Sequence, residues 1–208
     1  MSAHPWLVLV YRVPSEPASR RVAIWRDLKR LGALYLQQCV CILPCFDDVA
    51  TEAAQVTAKI ESMGGEYTLF NVPALQPTDE ARIVASFRDL RDKEYAEIVE
   101  ECETRFVKEV EFEHFRENYT FGEAEEIRQD LEKVRRWFAA VKARDWFEAE
   151  GAADVATWLD RCEGLLEHFE EEVYRRAGSD QADGGIESTG IARPRLREIR
   201  HDGRERPA

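Results

Sequence analysis

The first 75 residues alternate between short apolar runs and amphipathic stretches. A run over 6–11 has the length of a strand and is rich in aromatic and β-branched residues. After a polar break at 13–17, apolar residues recur every three positions, which predicts a helix. Ser19 is its expected N-cap and Gly32 its expected end. The residues expected to face inward are Val22, Trp25, Leu28 and Leu31, with Ile24 beside them.

Further signals complete a pattern of alternating strands and helices. A strand pair is predicted over 34–43, a helix over 49–63 and a last strand over 66–71. Asp47 or Asp48 can cap the helix, and the Gly64-Gly65 pair ends it. The order strand, helix, strand, strand, helix, strand is the ferredoxin-like plan, a four-stranded antiparallel sheet with two helices on one face. The fold class predicted for 1–75 is therefore a ferredoxin-like βαββαβ domain.

The spacing of apolar residues changes after 75 to that of long helices. Three amphipathic helices are predicted from 78 to about 117, from 123 to 147 and from 152 to 176. The second and third carry apolar stripes at alternating spacings of four and three residues. This spacing predicts an antiparallel three-helix bundle over 78–176. The last segment, 177–208, has few large apolar residues, and we expect it to be a disordered tail.

Charge is distributed unevenly along the chain. The formal net charge is −12, but 1–75 and 177–208 are each balanced, so the excess of acidic residues falls in 76–176. A uniformly acidic protein would argue against a nucleic-acid partner. A charge confined to the predicted bundle leaves the N-terminal helix available for an anionic partner.

The cysteine count and the N-terminus indicate a compartment. The five cysteines are an odd number, and the apolar run at 6–11 is too short for a signal-peptide core or a membrane span. We therefore expect a cytoplasmic protein with free thiols and no membrane partner.

The N-terminal helix is the first candidate site, because it is the only densely basic helix in the chain. Its basic residues are Arg20, Arg21, Arg26, Lys29 and Arg30. Arginines on an exposed helix suit phosphate by charge and by bidentate geometry, so we expect this helix to contact nucleic acid. The alternative is an ordinary solvated helix face.

The helix predicted over 123–147 also carries a row of cations. Its members are Arg128, Lys133, Arg135, Arg136, Lys142 and Arg144. Such a row could hold a dianion such as an oxyanion. The alternative is pairing on the helix surface, for which Glu125, Glu132 and Glu148 are available.

Catalysis has little support from the residues. Cys39, Cys41 and Cys45 could bind a soft metal or react with an oxidant, but cysteine in a strand is usually a small apolar residue. The chain has no C-x-x-C pair, serine triad, phosphate-binding glycine loop or H-E-x-x-H motif. We therefore expect no enzyme activity, no cofactor and no metal.

Several segments of the chain together form a pattern shared with a known family. They are WLVLVYRVPSEP at 6–17, RVAIWRDLKRLGA at 21–33, the LQ and VCILP parts of 36–44, Tyr119-Thr120-Phe121, DLEKVRRW at 130–137 and KARDWF at 142–147. In these segments the chain resembles the N-terminal domain of the ChrB chromate-resistance regulators. The resemblance covers about 6–176. A weaker one, limited to the strand–helix–strand segment, is to the ferredoxin-like domain of the phenylacetate repressor PaaX. Gln38-Cys39 departs from the family, since a more turn-like pair is expected there.

The resemblance implies a regulator of chromate-resistance genes that responds to chromate. Full-length ChrB proteins carry a second, C-terminal domain, so we expect this chain to be a short form. The basic N-terminal helix is then the expected contact with operator DNA, and a two-fold operator implies a homodimer. Chromate as effector is a tetrahedral dianion, and its expected contacts are Arg105, Arg128, Arg135, Arg136 and Arg144. The alternative is an accessory module that binds a protein partner through the acidic bundle and does not bind DNA.

Overall fold

The computed structural model describes residues 5–183, with side chains to 178, and begins with a four-stranded antiparallel sheet. Its elements are β1 (Trp6–Arg12), α1 (Ala18–Leu31), β2 (Leu34–Gln37), β3 (Val40–Pro44), α2 (Asp47–Ser62) and β4 (Glu66–Val72). The strands lie in the order β2-β3-β1-β4, so β1 is flanked on both sides and β4 forms an edge. The predicted order of elements and the antiparallel sheet are confirmed.

Helices α1 and α2 cover one face of the sheet. On this face Leu7 lies opposite Leu43 and Leu9 opposite Cys41, because alternate residues of a strand point to the same side. The helices contribute Ile24, Leu28 and Leu31 from α1 and Val49, Ala53, Val56 and Ile60 from α2. Gly32 ends α1 with a φ of 88°, as predicted, since an L side chain is strained in that conformation.

The opposite face of the sheet packs against the long helix that follows. Trp6, fully buried, lies 6.1 Å from Phe87 and 5.8 Å from Phe147, measured between ring centroids. Leu34 and Ile42 join the same cluster. The aromatic cluster therefore fixes the sheet against the helical part of the molecule.

The helical part is a bundle with a continuous core. Its elements are α3 (Pro77–Glu101), a π-helical segment (Cys102–Phe106), α4 (Val107–Phe115), α5 (Phe121–Lys142) and α6 (Ala152–Asp183). The apolar stripes predicted from the sequence lie in this core. Arg128 pairs with Glu170 and Arg135 with Glu163, so α5 and α6 run antiparallel. Within 5–183, no helix combines the length and apolar character needed to cross a bilayer.

Several boundaries differ from the prediction. Ser19 lies inside α1, whose N-cap is Pro17 without a side-chain hydrogen bond. Helix α5 ends at Lys142 rather than 147, because Trp146 and Phe147 leave the helix and pack against the sheet layer. Helix α6 continues to Asp183, into the segment predicted to be a disordered tail from 177. The remainder of that tail, 184–208, lies outside the described residues.

Candidate functional site

Helix α1 presents a different face to the core from the one predicted. Ile24, Leu28 and Leu31 are buried, whereas Val22 and Trp25 are 42% and 49% exposed. The expectation that Val22 and Trp25 point inward was therefore wrong. A spacing of three residues drifts around a helix of 3.6 residues per turn, and the four-three spacing of the buried set keeps to one side. The result is a tryptophan on the solvent side of a basic helix.

Three of the basic residues of α1 have no acidic partner in the described part of the chain. They are Arg21, Arg26 and Lys29. The other two are engaged, since Arg20 donates to the carbonyl of Met63 at 3.2 Å and Arg30 pairs with Asp27 at 3.1 Å. The uncompensated cations therefore lie on the same helix as the exposed Trp25. An aromatic ring and free cations together are suited to nucleic acid.

An open cleft of about 540 Å³ lies between α1 and the hairpin that joins β2 to β3. Trp25 and Arg21 line it from α1, Tyr35 from β2, and Arg12 from the end of β1. Arg12, like Arg21, has no carboxylate partner among the described residues. The cleft is therefore lined by aromatic residues and by two arginines that form no ion pair with a described carboxylate. Arg12 also lines the adjacent cleft that contains Glu66, its partner across the β1–β4 pair.

Two half-buried tyrosines line the cleft. The hydroxyl groups of Tyr11 and Tyr35 are hydrogen-bonded at 2.9 Å. Burial is the main cause that raises the pKa of both hydroxyls, and their nearness to each other raises that of Tyr35 further. Both tyrosines are therefore neutral hydrogen-bonding groups at physiological pH.

The three N-terminal cysteines have different environments. Cys39 is exposed in the hairpin, Cys41 is buried in β3, and Cys45 is half-buried. Cys39 precedes β3, which begins at Val40, so Cys39 and Cys41 do not lie on one face of the same strand. Burial raises the pKa of the Cys41 thiol to about 12, which removes it as a nucleophile at neutral pH. The described residues contain no group of metal ligands that includes these cysteines.

The five arginines predicted to bind an anion are already paired with carboxylates. The pairs are Arg105 with Glu101 at 2.9 Å, Arg128 with Glu170, Arg135 with Glu163 at 2.7 Å, Arg136 with Glu132 at 3.5 Å and Arg144 with Glu94 at 2.8 Å. They lie on the π-helical segment, along α5 and beyond its end, so the fold does not bring them to one point. An oxyanion at any of them has to displace a carboxylate.

One buried charge was missed by sequence reasoning. The Arg91 side chain is only 4% exposed, and its Nε lies 2.9 Å from Glu94, which also binds Arg144. The contact is poorly aligned, so Nε and Nη1 of Arg91 have no hydrogen-bond acceptor in the described structure. Burial is the main cause that lowers the Arg91 pKa, against the opposing effect of Glu94. Arg91 is therefore attracted to Glu94 mainly by their opposite charges and not through a well-formed hydrogen bond.

Three carboxylates at one end of the bundle come within 4.8 Å of one another. They belong to Glu109, Glu113 and Glu123, and such a group could hold a cation. Asn118 already donates to Glu113 at 2.6 Å and to Glu123 at 3.1 Å, and Arg116 pairs with Glu113. Burial first and the neighbouring carboxylates next raise the pKa of Glu123. The cluster is thus partly satisfied by the protein's own donors.

Comparison with known proteins gives one family. A family model described as Protein ChrB, N-terminal, matches residues 21–180, so the match begins within α1. A curated relative, Protein ChrB of Cupriavidus metallidurans, is 26% identical over 156 residues, which make up 74% of this chain and 44% of that protein. The chain therefore spans less than half the length of this relative. No solved structure matches the chain.

Proposed function

Because the chain belongs to the ChrB family, we propose that it acts in chromate resistance as a chromate-responsive regulator of transcription. In this proposal it binds operator DNA through α1, acts in the cytoplasm and performs no catalysis. The observation that carries the DNA-binding step is the set of uncompensated cations, Arg21, Arg26 and Lys29, beside the exposed Trp25.

The pairing of charges favours α1 over the bundle as the DNA contact. A cation that is free in the unbound protein gains a phosphate and releases a counterion without losing an existing partner. Arg105, Arg135 and Arg144 in the helical part would first have to give up a carboxylate. The excess negative charge of 76–176 would also repel a DNA backbone that approached from that side.

For the N-terminal layer we propose the ferredoxin-like class. The succession of elements from β1 to β4 and the sheet order β2-β3-β1-β4 support it, as does the placement of α1 and α2 on one face. We further expect two copies to bind a two-fold operator, because one copy offers a single basic helix. Chromate is expected to weaken DNA binding by replacing a carboxylate at one of the paired arginines.

A mobility-shift titration with the DNA upstream of the protein's own gene tests this proposal. We expect a specific shift that weakens at the higher of two salt concentrations and is relieved by chromate. The double reversal Arg26→Glu with Lys29→Glu should abolish the shift, since both side chains point away from the core. The double reversal Lys93→Glu with Lys108→Glu makes the same change of net charge on the exposed bundle surface and should leave the operator-specific shift in place.

Two outcomes would contradict the DNA-binding step. One is that the variant with Arg26→Glu and Lys29→Glu binds the operator DNA with the affinity of the wild type at the same salt concentration. The other is a wild-type shift that unrelated DNA competes away as well as the operator does, because that result leaves only non-specific retention.

A second candidate function is that of an accessory module that binds a protein partner. It is favoured by exposed aromatic side chains where α4 ends and α5 begins. Phe115 is 86% exposed, Phe121 is 55% exposed and Tyr174 is 68% exposed. The ring centroids of Phe121 and Tyr174 are 5.3 Å apart. Large exposed apolar groups of this kind mark interaction surfaces. If this function is correct, the wild type should give no operator-specific mobility shift, and Phe115→Ser with Phe121→Ser should abolish capture of a specific partner protein.

A further inference from the structure

The cleft between α1 and the β2–β3 hairpin differs in charge from other clefts of the described chain. Its lining holds Arg12 and Arg21 and no carboxylate. Four other surface clefts each include at least one glutamate, as Glu101 and Glu109 do in the groove beside α5. In a protein of net charge −12, a cleft of this kind selects an anionic ligand.

The walls of the cleft are suited to a flat apolar body. Trp25, which is about half exposed, lines the cleft together with the half-buried Tyr11 and Tyr35, whose hydroxyl groups are hydrogen-bonded to each other. A volume of about 540 Å³ lies within the usual range for small-molecule sites. An aromatic ring inserted here gains stacking with the indole and removes exposed apolar surface from water.

The rim supplies groups that can bind both ends of such a ligand. Arg12 and Arg21 come from different elements, and neither has a carboxylate partner in the described structure. Guanidinium groups bind phosphate or carboxylate oxygens in a bidentate manner. The amides of Gln37 and Gln38 on the hairpin side can donate to and accept from the polar edge of a ring.

We propose that this cleft is a binding site for a free, planar aromatic anion of about mononucleotide size. The ring stacks on Trp25, and the anionic group binds Arg12 and Arg21. Chromate has no apolar body, so this ligand is distinct from the expected effector. The site shares Arg21 and Trp25 with the proposed DNA contact, but it can be tested without DNA, because a free ligand is titrated in its place.

Calorimetric titration of the full chain with four probes tests the site. Adenosine 5′-monophosphate and 1-naphthyl phosphate carry both ring and charge, adenosine carries the ring alone, and inorganic phosphate carries the charge alone. We expect the two aromatic phosphates to bind at least tenfold more tightly than adenosine or phosphate. Arg12→Gln should weaken binding of the aromatic phosphates about tenfold without affecting adenosine, as expected for one charge-assisted contact. Trp25→Leu should weaken every ligand that has a ring.

Matched controls separate the cleft from general effects of charge and of tryptophan loss. Lys93→Gln removes an exposed cation, and Trp137→Leu removes a part-exposed tryptophan on α5. Both variants should bind the four probes as the wild type does. The proposal is overturned if neither aromatic phosphate binds, if inorganic phosphate binds equally well, or if Trp25→Leu behaves like Trp137→Leu. A failed mobility shift does not affect these measurements, so the two proposals can fail separately.

Discussion

Glu94 holds two arginines at the junction between the bundle and the sheet layer, and its replacement by glutamine should destabilise the fold. Its carboxylate lies 2.9 Å from Arg91 and 2.8 Å from Arg144. The side chains of Arg91, Arg144 and Glu94 are 4%, 17% and 22% exposed. Glutamine has almost the same shape, so the substitution removes the charge and little else. Two guanidinium groups then remain poorly solvated beside a neutral amide.

The expected loss follows from the burial of the group. Removing one partner of a buried ion pair costs about 3 to 5 kcal/mol, and a hydrogen bond to a charged group contributes about 1.5 to 3 kcal/mol. Glu94 and Arg144 are partly exposed, so the lower end applies, and we expect a loss of about 3 kcal/mol. With a urea m-value of ~2 kcal/mol per M, the unfolding midpoint should fall by about 1.5 M.

Equilibrium urea unfolding, followed by tryptophan fluorescence and circular dichroism, measures this loss. The matched control is Asp79→Asn, which breaks the pair with Arg82 at 2.8 Å, where the side chains are 52% and 71% exposed. Solvent screening makes such a pair worth less than about 1 kcal/mol. Adding Arg91→Met to Glu94→Gln should recover part of the loss, because it removes an orphaned buried charge. A Glu94→Gln midpoint within experimental error of Asp79→Asn would refute the reasoning.

Two further predictions concern α1 and the carboxylate cluster. Leu28→Ala should lower the free energy of unfolding by roughly 3 kcal/mol, because Leu28 is fully buried. Trp25→Ala should lower it by less than about 1 kcal/mol, because Trp25 is half-exposed. Equal losses of the two variants in urea unfolding would contradict the observed orientation of α1. Glu123→Gln should raise the urea midpoint at pH 7, because the folded pKa of Glu123 is raised and its ionised form opposes folding. That gain should shrink as the pH falls through the raised folded pKa and be absent below the unfolded pKa near 4.5. A gain independent of pH would show that ionisation of Glu123 is not its cause.

The sequence by itself determined the features that depend on local pattern. The four-three stripes predicted for α5 and α6 lie in the bundle core, where Ile127 and Phe169 are found, since a helix of 3.6 residues per turn keeps such residues on one side. Gly32 marked the end of α1, because the left-handed conformation there favours glycine. The order of strands and helices in the first layer followed from runs and breaks of strand and helix length.

Only the tertiary structure decided which side chains of the candidate site are available. Periodicity placed Trp25 inside, but α2 and the sheet pack on Ile24 and Leu28 and leave the indole in solvent. The partners of Arg135 and Arg144 lie on α6 and α3, far along the chain, so their neutralisation could not be deduced from neighbouring residues. Arg12 and Tyr35 line one cleft although they are far apart in the chain, because β1 and β2 flank the same strand of the sheet. Burial and ion pairing depend on which elements meet in space, and a pattern within a single element does not contain that information.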